Sequence, residues 1–239
     1  MPDPLPVLLL TRPRDTSERF ARVLEARGQR FRAVISPLFS IAVQGPLPDA
    51  SAMRGLIFTS ANGVESWRAL GGRTDLPVWC VGDATAAAAR AAGMTAQSAG
   101  GTADDLVAWL SRSRPPAPLL HLHGSNARGA VADRLTEAGL PCTSAVIYDQ
   151  PAQPLTAEAH AALAGIAPVV APVFSPRTGK LLADQPVKAP LLVAAMSEAV
   201  VKALASLHKR ELKVALRPES EAMTDVVCDL LDRAATGKY

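Results

Sequence analysis

At 239 residues the chain has room for one large domain or two of ordinary size, and an apolar fraction of 49% supplies real cores although only 4% of residues are aromatic. A net charge of +3, from 25 basic and 22 acidic residues, is too even for a dedicated nucleic-acid binder and leaves room for a small anionic ligand. Cys80, Cys142 and Cys228 are odd in number and lack CxxC spacing, which indicates neither a disulfide framework nor a zinc site, and no apolar run is long enough to span a bilayer.

The chain opens with "MPDPLPVLLLTRPRD", where Asp3 precedes a short apolar run and charge follows at once, the wrong order for a signal peptide. A soluble, cytoplasmic protein is expected. From there, strand-like runs alternate with amphipathic stretches, the pattern of βα units and a mainly parallel sheet. Eight such runs can be read, in order "VLLLT" at 7, "GLIFTS" at 55, "VWCVG" at 78, "MTAQSA" at 94, "LLHLHG" at 119, "PVFS" at 172, "LLVAAM" at 191 and "LKVAL" at 212. Helical spacing follows them, as with Phe20, Val23 and Leu24 in the first unit and Met223, Val226, Val227, Leu230 and Leu231 in the last.

The eight units are four types in duplicate. Leu24 and Gly28 match Leu135 and Gly139 at one offset, Phe58 matches Phe174 at a distance of 116 residues, and "VGDATAAAARAAG" from Val81 matches "AMSEAVVKALASL" from Ala195. "TADDLVAWL" from Thr102 likewise matches "AMTDVVCDL" from Ala222. Two similar α/β domains therefore share the chain. Their boundaries are open between a tandem split near "SRSRPPAP" and an interleaved arrangement. The longest stretches without helical pattern, from Phe31 and from Pro141, are extended and Pro-rich, which suits either crossings between two bodies or edge strands with loops.

No GxGxxG follows any strand, and "GSNARGAV" from Gly124 lacks the Lys and Ser/Thr of a P-loop, so nucleotide binding is not inferred. His121 and His123 share one face of a strand with nothing nearby to complete a metal set, and no metal is expected. What recurs is a small polar residue where a strand gives way to a helix: Thr11, Ser60, Asp83, Ser125, Ser175 and Ser197. Each suits a helix cap. Together they line the strand-end edge where parallel α/β sheets bind ligands, with Arg12, Arg14, Asn126, Arg128, Arg177 and Lys180 beside them, a setting for carboxylates or phosphates. Tyr148, in the second extended stretch, reads either as a packing residue or as a weak acid.

In order and spacing, "TRP" at 11, "FTSANGV" at 58, "VGDATA" at 81, "RG" at 128, Tyr148 in "VIYDQP", "FSPRTG" at 174 and "AMSEAVVKAL" from 195 resemble the uroporphyrinogen-III synthase family over essentially the whole chain. The resemblance implies two flavodoxin-like α/β domains with parallel sheets, one combining 1–34 with 152–239 and the other running 37–144. Extended strands at 34–43 and 142–151 would join them beside a cleft. It implies a lyase without cofactor that closes the linear tetrapyrrole hydroxymethylbilane into uroporphyrinogen III, with ring D inverted and water lost, in heme biosynthesis. A monomer receiving its substrate by hand-over from hydroxymethylbilane synthase is expected. By position Tyr148 matches the family's proposed acid, with a water or a substrate carboxylate competing for the role. Thr85 and Ser197 match its helix-starting hydroxyls, and Thr11, Arg12, Ser60, Asn62, Arg128, Ser175 and Arg177 are carried over as substrate contacts. Alternatives are a non-catalytic two-domain binder of a small polyanion, a relative that kept the fold and lost activity, and, ranked after these, a nucleotide enzyme.

Overall fold

The computed structural model describes residues 5–127 and 129–239. In chain order the first segment holds β1 (Val7–Leu10), α1 (Arg14–Ala26) and β2 (Arg32–Ile35). The middle segment holds β3 (Ala42–Val43), β4 (Gly55–Phe58), α2 (Ala61–Ala69), β5 (Val78–Cys80), α3 (Asp83–Ala91), β6 (Ala96–Ser98), α4 (Ala103–Ser113), β7 (Leu119–Gly124), α5 (Val131–Glu137) and β8 (Cys142–Asp149). The last holds α6 (Ala157–Ala164), β9 (Val169–Val173), α7 (Pro176–Ala183), β10 (Leu191–Ala195), α8 (Glu198–Ala203), β11 (Glu211–Val214) and α9 (Ser220–Thr236). Two compact units result: unit 1 is Met1–Ser40 with Ala152–Tyr239, and unit 2 is Ile41–Pro151.

Unit 1 is a five-stranded parallel sheet in the order β11-β10-β9-β1-β2. Its central strands are buried from end to end, as parallel strands covered on both faces must be. Side chains alternate between two cores. Leu8, Leu10, Val170 and Leu192 pack with Phe20 and Leu24 of α1 and Met223, Val227 and Leu230 of α9. Val7, Leu9, Val169, Ala171 and Val193 pack with Leu163 of α6, Leu182 of α7 and Val200 of α8.

Unit 2 repeats the plan with six strands, β3-β8-β7-β4-β5-β6, of which only the short β3 runs antiparallel. Leu56, Phe58, Val78, Cys80, Leu120 and Leu122 face Val64 and Trp67 of α2 and Ala86 and Ala89 of α3. Ile57, Trp79 and Leu119 face Leu106, Val107 and Leu110 of α4 and Val131 and Leu135 of α5. Matching the two sheets strand by strand, β1 corresponds to β7, β9 to β4, β10 to β5 and β11 to β6. The strands β2 and β8, drawn from the extended stretches, occupy the same place beside β1 and β7.

The duplication extends to single hydrogen bonds. Leu24 and Leu135 are fully buried, and four residues later Gly28 (φ +81°) and Gly139 (φ +78°) close their helices in the left-handed region that glycine adopts without steric cost. After each glycine the next backbone N–H donates back to the leucine carbonyl, Gln29 to Leu24 and Leu140 to Leu135, both at distances near 3 Å (3.1 and 2.9 Å).

Other expectations need correction. Strand ends and helix starts align β4-α2 with β9-α7 one residue closer than the Phe58–Phe174 match: Phe58 falls on Val173, and Phe174 takes the place of Thr59. Aligned the same way, Ser197 corresponds to Gly82, one residue off the Val81–Ala195 match, which would set Ser197 beside Asp83. Thr11 does not cap α1, whose N-cap is Pro13; Asp83 lies inside α3 behind Gly82; and Ser125 belongs to a turn ahead of α5. Val23 is 46% exposed, because the buried stripe of α1 runs through Ser17, Phe20, Ala21 and Leu24. Helix α6, capped by Thr156, follows the second extended stretch and was not among the eight units.

His121 stands on the β7 face that packs toward α5, 3% exposed, and its Nε2 finds no partner among the described residues. Burial pushes its pKa down from 6.5 to about 3, with the charge of His123 a smaller cause. The folded protein therefore keeps this ring neutral while the unfolded chain binds a proton below pH 6.5, so stability falls as pH drops from 6.5 toward 3, by on the order of 5 kcal/mol at the lower end. His121→Leu is expected to make the chemical-denaturation midpoint fall less between pH 7 and pH 4 than it does in the parent. Parallel declines would show that the imidazole titrates as it does in water.

Candidate active site

Parallel sheets carry every strand-to-helix turn on one edge, where loose backbone N–H groups and short polar side chains collect. In unit 2 the carboxyl ends of β4, β5, β7 and β8 surround a pocket of about 350 Å³. Thr59 and Ser60 come from the β4-α2 junction, Val81 from the end of β5, Ala103 from the start of α4, Gly124, Asn126 and Ala127 from the end of β7, and Tyr148 and Gln150 from the end of β8.

The position of Tyr148 follows from strand pairing. β8 runs parallel to β7 on one side and antiparallel to β3 on the other, and the β7-β8 register shifts between His123 and Gly124 so that Gly124 faces Tyr148. Such a bulge breaks the alternation of side chains. Ile147 and Tyr148, adjacent in sequence, are accordingly both buried. The phenol ring lies against Gly124, where a Cβ would stand 2.5 Å from Cε2 and 2.6 Å from Cζ. Burial pushes the phenol pKa up, and interactions with the Ser60 hydroxyl and the Gly124 backbone oppose that shift in part. A phenol held in this way remains protonated at neutral pH.

Ser60 also caps α2 by accepting from the Asn62 N–H at 3.2 Å, so one hydroxyl serves both the helix start and the pocket. The turn after β7 is tied to the end of β8: the Ser125 N–H donates to the Tyr148 carbonyl at 3.0 Å, the Ser125 hydroxyl donates to Asp149, and the Asn126 amide donates to the Ser125 hydroxyl at 3.2 Å. Thr85 is buried in the first turn of α3 and is not part of the pocket wall. Arg128 lies outside the described residues. Cys80 and Cys142 are pushed up to about 12 and about 11 by burial, which keeps both as neutral thiols.

Unit 1 has its own edge of the same kind. Ser175 caps α7, accepting from the Thr178 N–H at 3.2 Å, with Pro176 at the first helical position and Arg177 next. Ser197 starts α8 without a side-chain cap bond. Thr11 is 1% exposed and its hydroxyl has no partner among the described residues. Arg12 places its guanidinium carbon 4.4 Å above the centre of the Phe174 ring, linking the ends of β1 and β9.

The structure thus brings Ser60, Asn126 and Tyr148 together in unit 2, leaves Asn62 out of the pocket wall with its N–H on the Ser60 hydroxyl, and sets Arg12 onto Phe174 in unit 1. Sequence reasoning missed Thr59, Gly124, Ala127 and Gln150 as wall residues. Gln150 could have been found two places beyond Tyr148, on the same side of an extended strand. Among the described residues no three His, Cys, Asp or Glu side chains gather closely enough to hold a metal ion, and no helix is long and apolar enough to cross a membrane.

The model of the family described as uroporphyrinogen-III synthase HemD matches residues 18–225. No curated protein matches the chain. Among solved structures, the uroporphyrinogen-III synthetase of Helicobacter pylori superposes with a TM-score of 0.68 at 15% identity, covering 95% of this chain and 99% of its own. A mutant uroporphyrinogen III synthase of Thermus thermophilus gives 0.52 at 14% identity, covering 97% and 99%. At such identities the likeness is one of fold, and it covers both units.

Replacing Gly124 by Ala drives a methyl group into the Tyr148 ring, and overpacking of this kind costs about 1–3 kcal/mol of stability. In a Tyr239→Phe background Tyr148 is the single tyrosine, so ultraviolet titration reads its phenol alone. Gly124→Ala is expected to bring that titration back toward the ordinary value of 10 as the ring moves into water. Unchanged titration and stability would mean that the ring does not depend on the glycine.

Proposed function

The chain belongs to the uroporphyrinogen-III synthase family, and from that premise we propose how its residues divide the work. The reaction is the lyase step of tetrapyrrole and heme biosynthesis that closes hydroxymethylbilane into uroporphyrinogen III, inverting ring D and releasing water. In our reading the unit 2 pocket receives the hydroxymethyl end of the substrate, and Tyr148 assists departure of its hydroxyl. The carbon–oxygen bond breaks as the phenol proton passes to the leaving oxygen, which departs as water and leaves an azafulvene cation. The substituted carbon of ring D attacks that cation to give a spiro intermediate, which fragments and recloses in the inverted sense. The proton lost as the last pyrrole regains aromaticity restores the phenol.

The observation that carries this reading is the buried, protonated Tyr148 in a strand-end pocket otherwise built from hydroxyls, amides and apolar groups. A phenol whose pKa lies above its ordinary value is a weak acid, so its share of the rate enhancement is modest. The larger share comes from holding the linear chain where inversion outruns simple end-to-end closure. Eight substrate carboxylates need donors, and junctions that present helix N-termini and short hydroxyls supply many weak ones. Ser60 and Asn62 serve this purpose in unit 2, and Thr11, Arg12, Ser175, Arg177 and Ser197 in unit 1; Thr85, buried in α3, supports its helix start. Arg128 is kept as a contact on its position in sequence. We read the enzyme as a cytoplasmic monomer without cofactor that takes its unstable substrate from hydroxymethylbilane synthase. The comparisons lend no support to a non-catalytic binder.

The test is to incubate the purified protein with freshly generated hydroxymethylbilane, oxidise the products and separate the isomers. Mainly type III is expected; type I alone, the product of spontaneous closure, would return the chain to a binding protein or an inactive relative. Tyr148→Phe is expected to lower kcat by roughly 100-fold with little change in KM, the low end of what a general acid supplies. A variant of undiminished kcat would transfer the acid role to a water or a substrate carboxylate.

A further inference from the structure

Unit 2 has a second cavity, of about 210 Å³, which shares Ala127 with the pocket described above but lies against the first turn of α5. His121 and His123 of β7 border it, with Ser144 of β8 and Asp133 of α5. Two residues apart on a strand, the two histidines leave the same face. Their rings stand 4.7 Å apart between centres and are tilted by 34°. The Nδ1 of half-buried His123 lies 2.8 Å from the Gly124 carbonyl oxygen, which only accepts, so in the neutral ring Nδ1 carries the proton and Nε2 the lone pair. His121 is 3% exposed, and its Nε2 has no partner among the described residues.

Imidazole rings also serve as plain packing against a helix, and that alone would explain why His121 is buried. It would not explain a buried ring nitrogen left without a partner, since polar atoms inside a fold are nearly always satisfied. Nor would it explain the support given to His123. A backbone carbonyl that holds one ring N–H, and so fixes the tautomer and the direction of the other nitrogen, is the usual outer contact of a metal-ligating histidine. Burial keeps His121 uncharged at neutral pH, so an entering cation meets no positive charge from that ring. Paired neutral imidazoles suit zinc, nickel and copper ions, and give little to magnesium or calcium, which prefer oxygen.

We propose that His121 and His123 form a two-imidazole site for a divalent transition-metal ion of the zinc class, with water filling the remaining positions. Among the described residues no third His, Cys, Asp or Glu completes the set, so the ion exchanges with solvent and is held more weakly than a structural zinc with four protein ligands. Asp133 borders the cavity and adds negative charge to it. The site stands apart from the ring closure assigned above and does not depend on that reading.

The probe is zinc ion alone, titrated by calorimetry into the untagged protein at neutral pH, with magnesium ion as the comparison. One equivalent of zinc is expected to bind with micromolar affinity and to raise the melting temperature, and magnesium is expected to do neither. His123→Asn keeps an amide donor for the Gly124 carbonyl and removes Nε2. It is expected to weaken zinc binding at least ~10-fold, the least that loss of an outer support alone costs. His121→Leu, which removes the other ring, is expected to do the same, and replacing both His160 and His208 by Ala is expected to change nothing. Copper ion bound to the parent protein gives a readout that needs no variant: electron paramagnetic resonance is expected to show splitting from two imidazole nitrogens. Failure of zinc to bind the parent, parent-like affinity in His123→Asn, loss of binding in the His160 and His208 variant, or a copper spectrum of thiolate ligation would each overturn the site.

Discussion

Two parallel ladders hold this architecture together, β1 on β9 and β7 on β4. In the first, Val7 and Leu8 pair with Val169 and Val170; in the second, Gly55 to Phe58 pair with Leu119 to Leu122. Each ladder joins a strand to a partner from another turn of the sequence repeat, and each sits in the middle of its sheet, so neither core can form around a locally complete set of strands. Closing such distant contacts costs chain entropy that only the full burial of both sheet faces offsets. The fully buried strands Val7–Leu10, Val169–Val173 and Leu191–Ala195 supply that burial on both sides at once.

Much of this was legible in residues. Eight apolar runs became eight strands, most plainly in β1, β4, β9 and β10, whose near-continuous apolar residues are what parallel strands covered on both faces need. The repeat was legible as well, down to the paired Leu-x-x-x-Gly helix ends. What stayed hidden has physical causes. β2 and β8 sit at or near sheet margins, where mixed exposure and nearby prolines make a strand look like a linker. Helix α6 is Ala-rich with almost no polar face, so it carries little helical period. The single-residue slip between Phe58 and Phe174 comes from two identical side chains that stand one place apart relative to their helix starts, and only hydrogen bonding fixes a helix start.

The candidate site shows the same division. Ser60 and Tyr148 could be singled out, since hydroxyls at strand ends and a lone internal tyrosine are conspicuous. The role of Gly124 could not, because the absence of a side chain signifies nothing until a register shift lays a ring against it. Phe174 was visible as part of a motif, yet its use as a platform depends on the β1 and β9 ends being neighbours in space. Chemically the site is modest: one phenol above its ordinary pKa, and short hydroxyls and amides along strand ends. That suits a reaction whose difficulty lies in choosing between two ring closures more than in breaking a strong bond.

The insertion of Ile41–Pro151 between the two parts of unit 1 also sets an order of events during synthesis. A ribosome releases the whole of unit 2 before β9 exists, so Val7–Leu10, which can pair with Arg32–Ile35 on one side at once, must wait for Val169–Val173 on the other. At ordinary elongation rates of about 5–20 residues per second, that interval is on the order of 10–30 seconds. Throughout it one edge of the first apolar strand stays open, and by its end every strand of the inserted unit has already been made.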